Sequence, residues 1–301
     1  MAKALFLDNL RGFGARYKRY CKSPLRYPGG KSLAVGLIVE KLPVDVKRVV
    51  SPFFGGGSVE IAIAQELHIP VIGYDIFDIL VNFWNQAINA NLALCEALLA
   101  LKPTRENYDA IKKELTKHWK KEITLDPLTL ARDYYFNFNL SYGPGFLGWI
   151  SNIYLDTDRY AAMLNKLSSF NPQNISVSCA SFENALPNYR NDFLYLDPPY
   201  YLGGDSKMFK GVYPQRNFPI HHNGFDHKAL NEALKLHKGG FILSYNDCAA
   251  VREMYKAYEI FEPSWQYTMG QGETRIGKNR IERGDDNVKE SHELLIIGER
   301  K

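Results

Sequence analysis

Cysteine is scarce in this chain and never paired. Cys21, Cys95, Cys179 and Cys248 lie far apart, with no CxxC and no short spacing. That excludes a disulfide-stapled scaffold and a short-spaced zinc knuckle, and it predicts free thiols in a reducing, cytoplasmic setting. Long apolar runs are also missing, so no stretch approaches the length of a membrane span. The opening MAKALFLDNLRGFGARYKRY is broken by Arg11, Arg16, Lys18 and Arg19, which does not suit a secretory leader. Internal repeats and low-complexity tracts are absent, which removes solenoid and fibrous architectures. Neither sign of charge dominates. Lys and Arg total 37 against 33 acids, a formal net charge of +4 that suits a polyanionic partner without establishing one.

Four short apolar runs read as buried parallel strands: Arg48–Phe53, Pro70–Asp75, Phe193–Asp197 and Gly239–Asp247. Between the first two, GSVEIAIAQEL places Val59, Ile61, Ile63 and Leu67 on one helical face. DHKALNEALKLHK is a clearer amphipathic helix, with Ala229, Leu230, Ala233, Leu234 and Leu236 on one broad face. Strands alternating with helices predict an open, doubly wound α/β sheet. Near the end, EIFEPSWQYTM and SHELLIIGER read as an antiparallel edge hairpin, separated by a long polar tip over 270–290. Residues 86–173 break the strand–helix rhythm with helical segments and a glycine-rich SYGPGFLGW. They read as an inserted helical domain between catalytic parts at 1–85 and 174–301.

The chemistry gathers at strand ends. In SPFFGGGSVE, Gly55, Gly56 and Gly57 stand between a strand and a helix, where backbone can approach a ligand and a helix N-terminus favours negative groups. Glu60 occupies the place of the third glycine in a dinucleotide fingerprint, so that motif fails and a ligand-free βα turn stays open. Asp75 ends the next strand 18 residues beyond Gly57, where an acid can accept ribose hydroxyls. Phe53 and Phe54 can enclose a ring, or at least one of them can pack in the core. Pro28-Gly29-Gly30 turns to present Lys31 at a helix start, where a cation opposes the dipole and suggests a partner; a solvated surface lysine is the plainer alternative.

FLYLDPPYY is the strongest signal. The strand carries Asp197 to the carboxyl edge of the sheet, and Pro198 and Pro199 fix the neighbouring backbone. An exocyclic amino group can then donate one hydrogen to the Asp197 carboxylate and one to the Pro198 carbonyl, while Tyr200 offers a stacking face. Such a pairing exposes the nitrogen lone pair to an electrophile and suits in-line methyl transfer. A base held in duplex reaches the slot only by flipping out.

With RYPGGK, PFFGGGS, YDIFDILVNFWN, LDPPY, FDHKAL and GGFILSYND in that order, the chain resembles the Dam-type, alpha-group DNA adenine methyltransferases. The resemblance implies a Rossmann-like class I methyltransferase sheet with an inserted target-recognition domain and a C-terminal antiparallel hairpin. It implies S-adenosyl-L-methionine as methyl donor and double-stranded DNA as substrate, in a monomeric, cytoplasmic protein without membrane or metal. By the same resemblance Tyr27 and Lys31 contact the methionine part of the cofactor. Phe53, Gly55 and Gly57 line it, Asp75 holds the ribose and Phe182 touches its adenine. Asp197, Pro198, Pro199 and Tyr200 grip the target base. Two positions depart from the pattern: Ser51 and Ser181 stand where the family commonly has an acid, which implies a weaker or differently supported cofactor contact.

For DNA, the stretch from Lys102 to Lys121 has seven basic residues against three acids, with Trp119 among them. Lys112 and Lys117 are its candidate phosphate contacts, although a charge-rich helix is also explained as a solvated face. Arg275, Lys278 and Arg280 in the hairpin tip are further candidates, as is the basic N-terminal arm. His221, His222 and His227 lie close together, but no cysteine or carboxylate spacing completes a metal site. Methylation of RNA or of a protein amide, and a DNA-binding relative without catalysis, remain alternatives.

Overall fold

The short β-branched and aromatic runs form a single mixed sheet. A computed structural model of the chain describes residues 2–12, 17–142, 145–203, 224–263 and 293–301. In chain order the elements are α1 (Ala2–Leu10), α2 (Val35–Lys41), β1 (Val49–Ser51), α3 (Ser58–Glu66), β2 (Val71–Asp75) and α4 (Asp78–Asn89). There follow α5 (Asn91–Leu99), α6 (Arg105–Trp119), α7 (Pro127–Leu140) and α8 (Thr157–Ser168). The rest comprises β3 (Ile175–Cys179), α9 (Phe182–Ala185), β4 (Phe193–Leu196), α10 (His227–Leu236), β5 (Phe241–Asn246), α11 (Ala249–Met254), β6 (Glu259–Phe261) and β7 (Glu293–Gly298).

The strand order is β3-β2-β1-β4-β5-β7-β6. Pairing is parallel from β3 through β5, and antiparallel where β7 inserts between β5 and β6. This is the Rossmann-like class I methyltransferase sheet expected from the sequence, closed by its antiparallel strands. The chain winds outward from β1 in one direction and from β4 in the other. Their carboxyl ends therefore flank the topological switch point, where open α/β sheets bind ligands.

Alternation along the strands supplies a core on each face. Val49, Phe193, Tyr195 and Ile242 join one apolar cluster, and Val50, Leu194, Leu196 and Leu243 join the other. Burial on both faces explains why these strands read as continuous apolar runs. The helices between β2 and β3 share the first cluster: Leu115, Tyr134 and Tyr135 belong to the same core as Val49. Phe83 of α4 stacks on Tyr135 of α7, with centroids 5.4 Å apart and planes at 12°. Residue 86 lies within α4, so the helical segment grows out of a sheet-covering helix.

Three features differ from the sequence reading. Strand β3 is not anticipated there. It is an edge strand paired only to β2, with Ile175 and Val177 buried between exposed serines, so it lacks an apolar run. Helix α3 buries Val59 through Ala64 almost without a polar face, because α1 and α2 pack on it as well as the sheet. Leu236, expected on the buried face of α10, is 79% exposed because the helix ends there and the chain turns into β5. Among the described residues no helix is long and apolar enough to cross a membrane.

Candidate active site

The β1–α3 turn is shaped by what its glycines omit. Gly57 has φ +65° and caps α3, and a Cβ there would lie 2.8 Å from the Phe54 ring. A Cβ on Gly56 would fall 2.4 Å from that of Tyr27, so the Tyr27 segment lies directly against the turn. The turn is fixed from the next strand. Asp75 Oδ2 accepts the Gly55 N–H at 3.0 Å, Asp75 Oδ1 accepts the Phe77 N–H at 2.9 Å, and Trp84 donates its indole N–H to the Gly55 carbonyl at 2.9 Å. Of the two adjacent phenylalanines, Phe54 is the core residue and packs edge-on against Trp84. Phe53 faces the other way and meets Phe182 at 5.8 Å and Phe225 at 5.6 Å.

The Pro28-Gly29-Gly30 turn sends Lys31 inward. Its Nζ is 2.7 Å from Asp197 Oδ2 and 3.0 Å from the Gly29 carbonyl, and the residue is 4% exposed. Burial opposes the charge on Lys31, but the carboxylates of Asp197 and Glu293 outweigh it and raise its pKa. The plainer reading of a solvated lysine is therefore replaced by a buried ion pair. Burial also raises the Asp197 carboxyl, and the Lys31 ammonium pulls against that rise. An ion pair this deep is costly to form and strongly directional, which fits a positioning device better than a stabilising one.

Behind Asp197 the backbone is clamped. Asn246 accepts the Tyr201 N–H and donates to the Tyr201 carbonyl, both at 2.8 Å. The sequence reading gives Tyr200 a stacking face for the target base. Here its ring is 3% exposed, lies against Tyr245 with centroids 6.0 Å apart, and takes the Lys31 Nζ 5.0 Å from its centroid. Its hydroxyl donates to Glu293 Oε1 at 2.7 Å. Tyr200 thus braces the motif from beneath, whereas Asp197, Pro198 and Pro199 line the opening. Glu293, on β7, has its carboxyl raised to about 7 by burial and by Asp197, with Lys31 and Tyr200 opposing.

These parts enclose one cavity of about 310 Å³. Tyr27, Lys31, Phe53, Gly55, Gly57, Asp75 and Phe182 all line it together with Asp197. A model of the D12 class N6 adenine-specific DNA methyltransferases matches residues 27–269. The chain belongs to that family. Among curated proteins none matches it significantly. The D12 match begins at Tyr27, the first cavity residue, and takes in β1 through β6; β7 and its Glu293 lie beyond it.

Sequence reasoning missed several residues of this D12 cavity. Glu60 and Phe225 line it, and Glu293 and Asn246 support it from β7 and β5. An acid amid the apolar positions of α3 and another at the head of an apolar strand were the available signals. Lys112 and Lys117 are on α6 as expected, yet both have partners inside the protein. Lys112 donates to the Gly148 carbonyl at 2.9 Å and sits over the exposed Trp149 ring at 5.3 Å, while Lys117 pairs with Glu114 at 3.0 Å. Trp119 packs edge-on against Phe77 and Phe146. Arg275, Lys278 and Arg280, with His221 and His222, lie outside the described residues. Among those described, no group of three His, Cys, Asp or Glu side chains could hold a metal. His227 bonds the Tyr245 hydroxyl, and burial lowers its pKa.

Proposed function

We propose that the protein transfers the methyl group of S-adenosyl-L-methionine to the 6-amino group of a flipped-out adenine in duplex DNA. One observation carries the reading: the glycine turn, Asp75 and Asp197-Pro198-Pro199 share a single cavity at the switch point of a D12 family sheet. The cavity suits the cofactor. The Gly55–Gly57 turn and Asp75 line it, the latter at hand for ribose hydroxyls, and Phe53, Phe182 and Phe225 form an aromatic enclosure for a purine.

When bound, the cofactor supplies a methyl group on a sulfonium. The protein's part is placement. Asp197 and the Pro198 carbonyl receive the two amino hydrogens of the adenine, and Lys31 keeps the carboxylate aimed. Tyr200 and Asn246 hold the motif rigid. Preorganised acceptors of this kind act without reorganising during the reaction. Residues 86–173 form the target-recognition part in this reading. The DNA follows α6 and the exposed Trp149, with Arg275, Lys278 and Arg280 as further phosphate contacts.

The test is to incubate the purified protein with S-adenosylmethionine and unmethylated plasmid and to map methyladenine by sequencing. Methyladenine is expected, and Asp197→Ala should remove it by about a hundredfold or more while DNA binding persists. A preparation that binds the cofactor yet leaves plasmid adenine unmodified would overturn the DNA substrate. Undiminished methylation by the Asp197 variant would overturn its role.

A further inference from the structure

The cavity holds an acid that the family resemblance does not account for. Ser51 lies at the end of β1, and its hydroxyl donates to Glu60 Oε1 at 2.6 Å. Glu60 arrives at this place from the first turn of α3. It lines the cavity and is 2% exposed.

Charge balance says what that acid is for. Glu60, Asp197 and Glu293 all interact through the buried site with the ammonium of Lys31, which is already paired with Asp197 at 2.7 Å. Burial pushes the Glu60 carboxyl up to about 8, and Asp197 adds to the rise while the Ser51 hydroxyl and Lys31 oppose it. A carboxylate so poorly compensated gains most from a second cation entering the cavity.

Resting on the cofactor reading above, we propose that Glu60 receives the α-ammonium of the cofactor's amino-acid part and makes the site selective for ligands that carry that group. Ser51 orients the carboxylate through its hydrogen bond. Asp75 and the aromatic trio serve the nucleoside end, so the two ends of one ligand are read by separate elements.

Calorimetric titration of wild-type protein, Glu60→Gln and Glu60→Asp with S-adenosylhomocysteine and with its deaminated analogue tests this. Wild type should prefer the amino-bearing ligand. Glu60→Gln should weaken that ligand about ten- to a hundredfold and leave the deaminated one within about twofold, since a hydrogen bond to a charged group is being lost. Glu60→Asp keeps the charge but withdraws it, and should fall between. Equal losses for both ligands, or equal wild-type affinity for the two, would make Glu60 a first-turn acid serving the α3 dipole and overturn the proposal. Wild-type protein that binds neither ligand would overturn the cofactor reading together with it.

Discussion

At the scale of single residues, the site is governed by carboxyl groups held largely away from water. Glu60 and Glu293 have folded-state pKa values raised to about 8 and about 7. A group that binds its proton more tightly when folded contributes stability that is complete below its unfolded pKa and is lost as pH rises through the folded one. The unliganded protein should therefore lose thermal stability steadily between about pH 5 and pH 8. The groups facing Glu60 are Ser51, Asp197 and Lys31. Glu60→Gln, which imitates the protonated form, should flatten the upper part of that slope and melt above wild type at pH 9. Melting curves with identical pH slopes in both proteins would rule this out. Tyr200→Phe should destabilise by about 1–3 kcal/mol in urea unfolding, because it deletes a hydrogen bond to a buried carboxylate.

At the scale of elements, the glycine turn and the strand ends were the legible parts. Strands that finish on Asp75 and on Asp197 announce themselves by an apolar run meeting an acid, and the Gly55–Gly57 cluster follows the first run directly. What escaped the sequence were pairings between distant elements. Lys31 and Asp197 are 166 residues apart, and Tyr200 and Glu293 are 93 apart. Periodicity carries no trace of such contacts, because each partner sits in a segment whose own pattern is complete without the other. Strand β3 escaped for another reason: an edge strand needs only alternate apolar residues, and Ile175 and Val177 are too few to stand out. The turn itself yields a sharp expectation. Gly57→Ala imposes a left-handed backbone on a side chain and drives its Cβ to 2.8 Å from Phe54, so it should cost about 1–3 kcal/mol in stability. A thermal midpoint unchanged by this substitution would show that the turn relaxes freely.

At the scale of the whole molecule, the proposed function divides the sheet into a cofactor side and a target side that meet between β1 and β4. On that reading, DNA affinity should come from phosphate contacts spread over separate segments. The logarithm of the binding constant should fall linearly with the logarithm of salt concentration, by about 0.9 for each phosphate contacted. Replacing Arg275, Lys278 and Arg280 together with alanine should reduce that slope by as much as about three, with little change in which adenines are methylated. An unchanged slope would remove these residues from the interface. Lys112→Ala should act differently, because its ammonium holds the Gly148 carbonyl and Trp149: a shift in the methylated sequences is expected, read by the same mapping.

The position of β7 has a consequence for the order of folding. It follows β6 in the chain, yet it lies inside the sheet, between β5 and β6. Until it docks, β5 has one open side, β6 has no partner strand among the described residues, and the Tyr200 hydroxyl lacks the Glu293 oxygen it bonds in the finished fold. A chain in which β7 has not yet docked can therefore carry every recognisable motif and still lack the hydrogen bond that braces Tyr200.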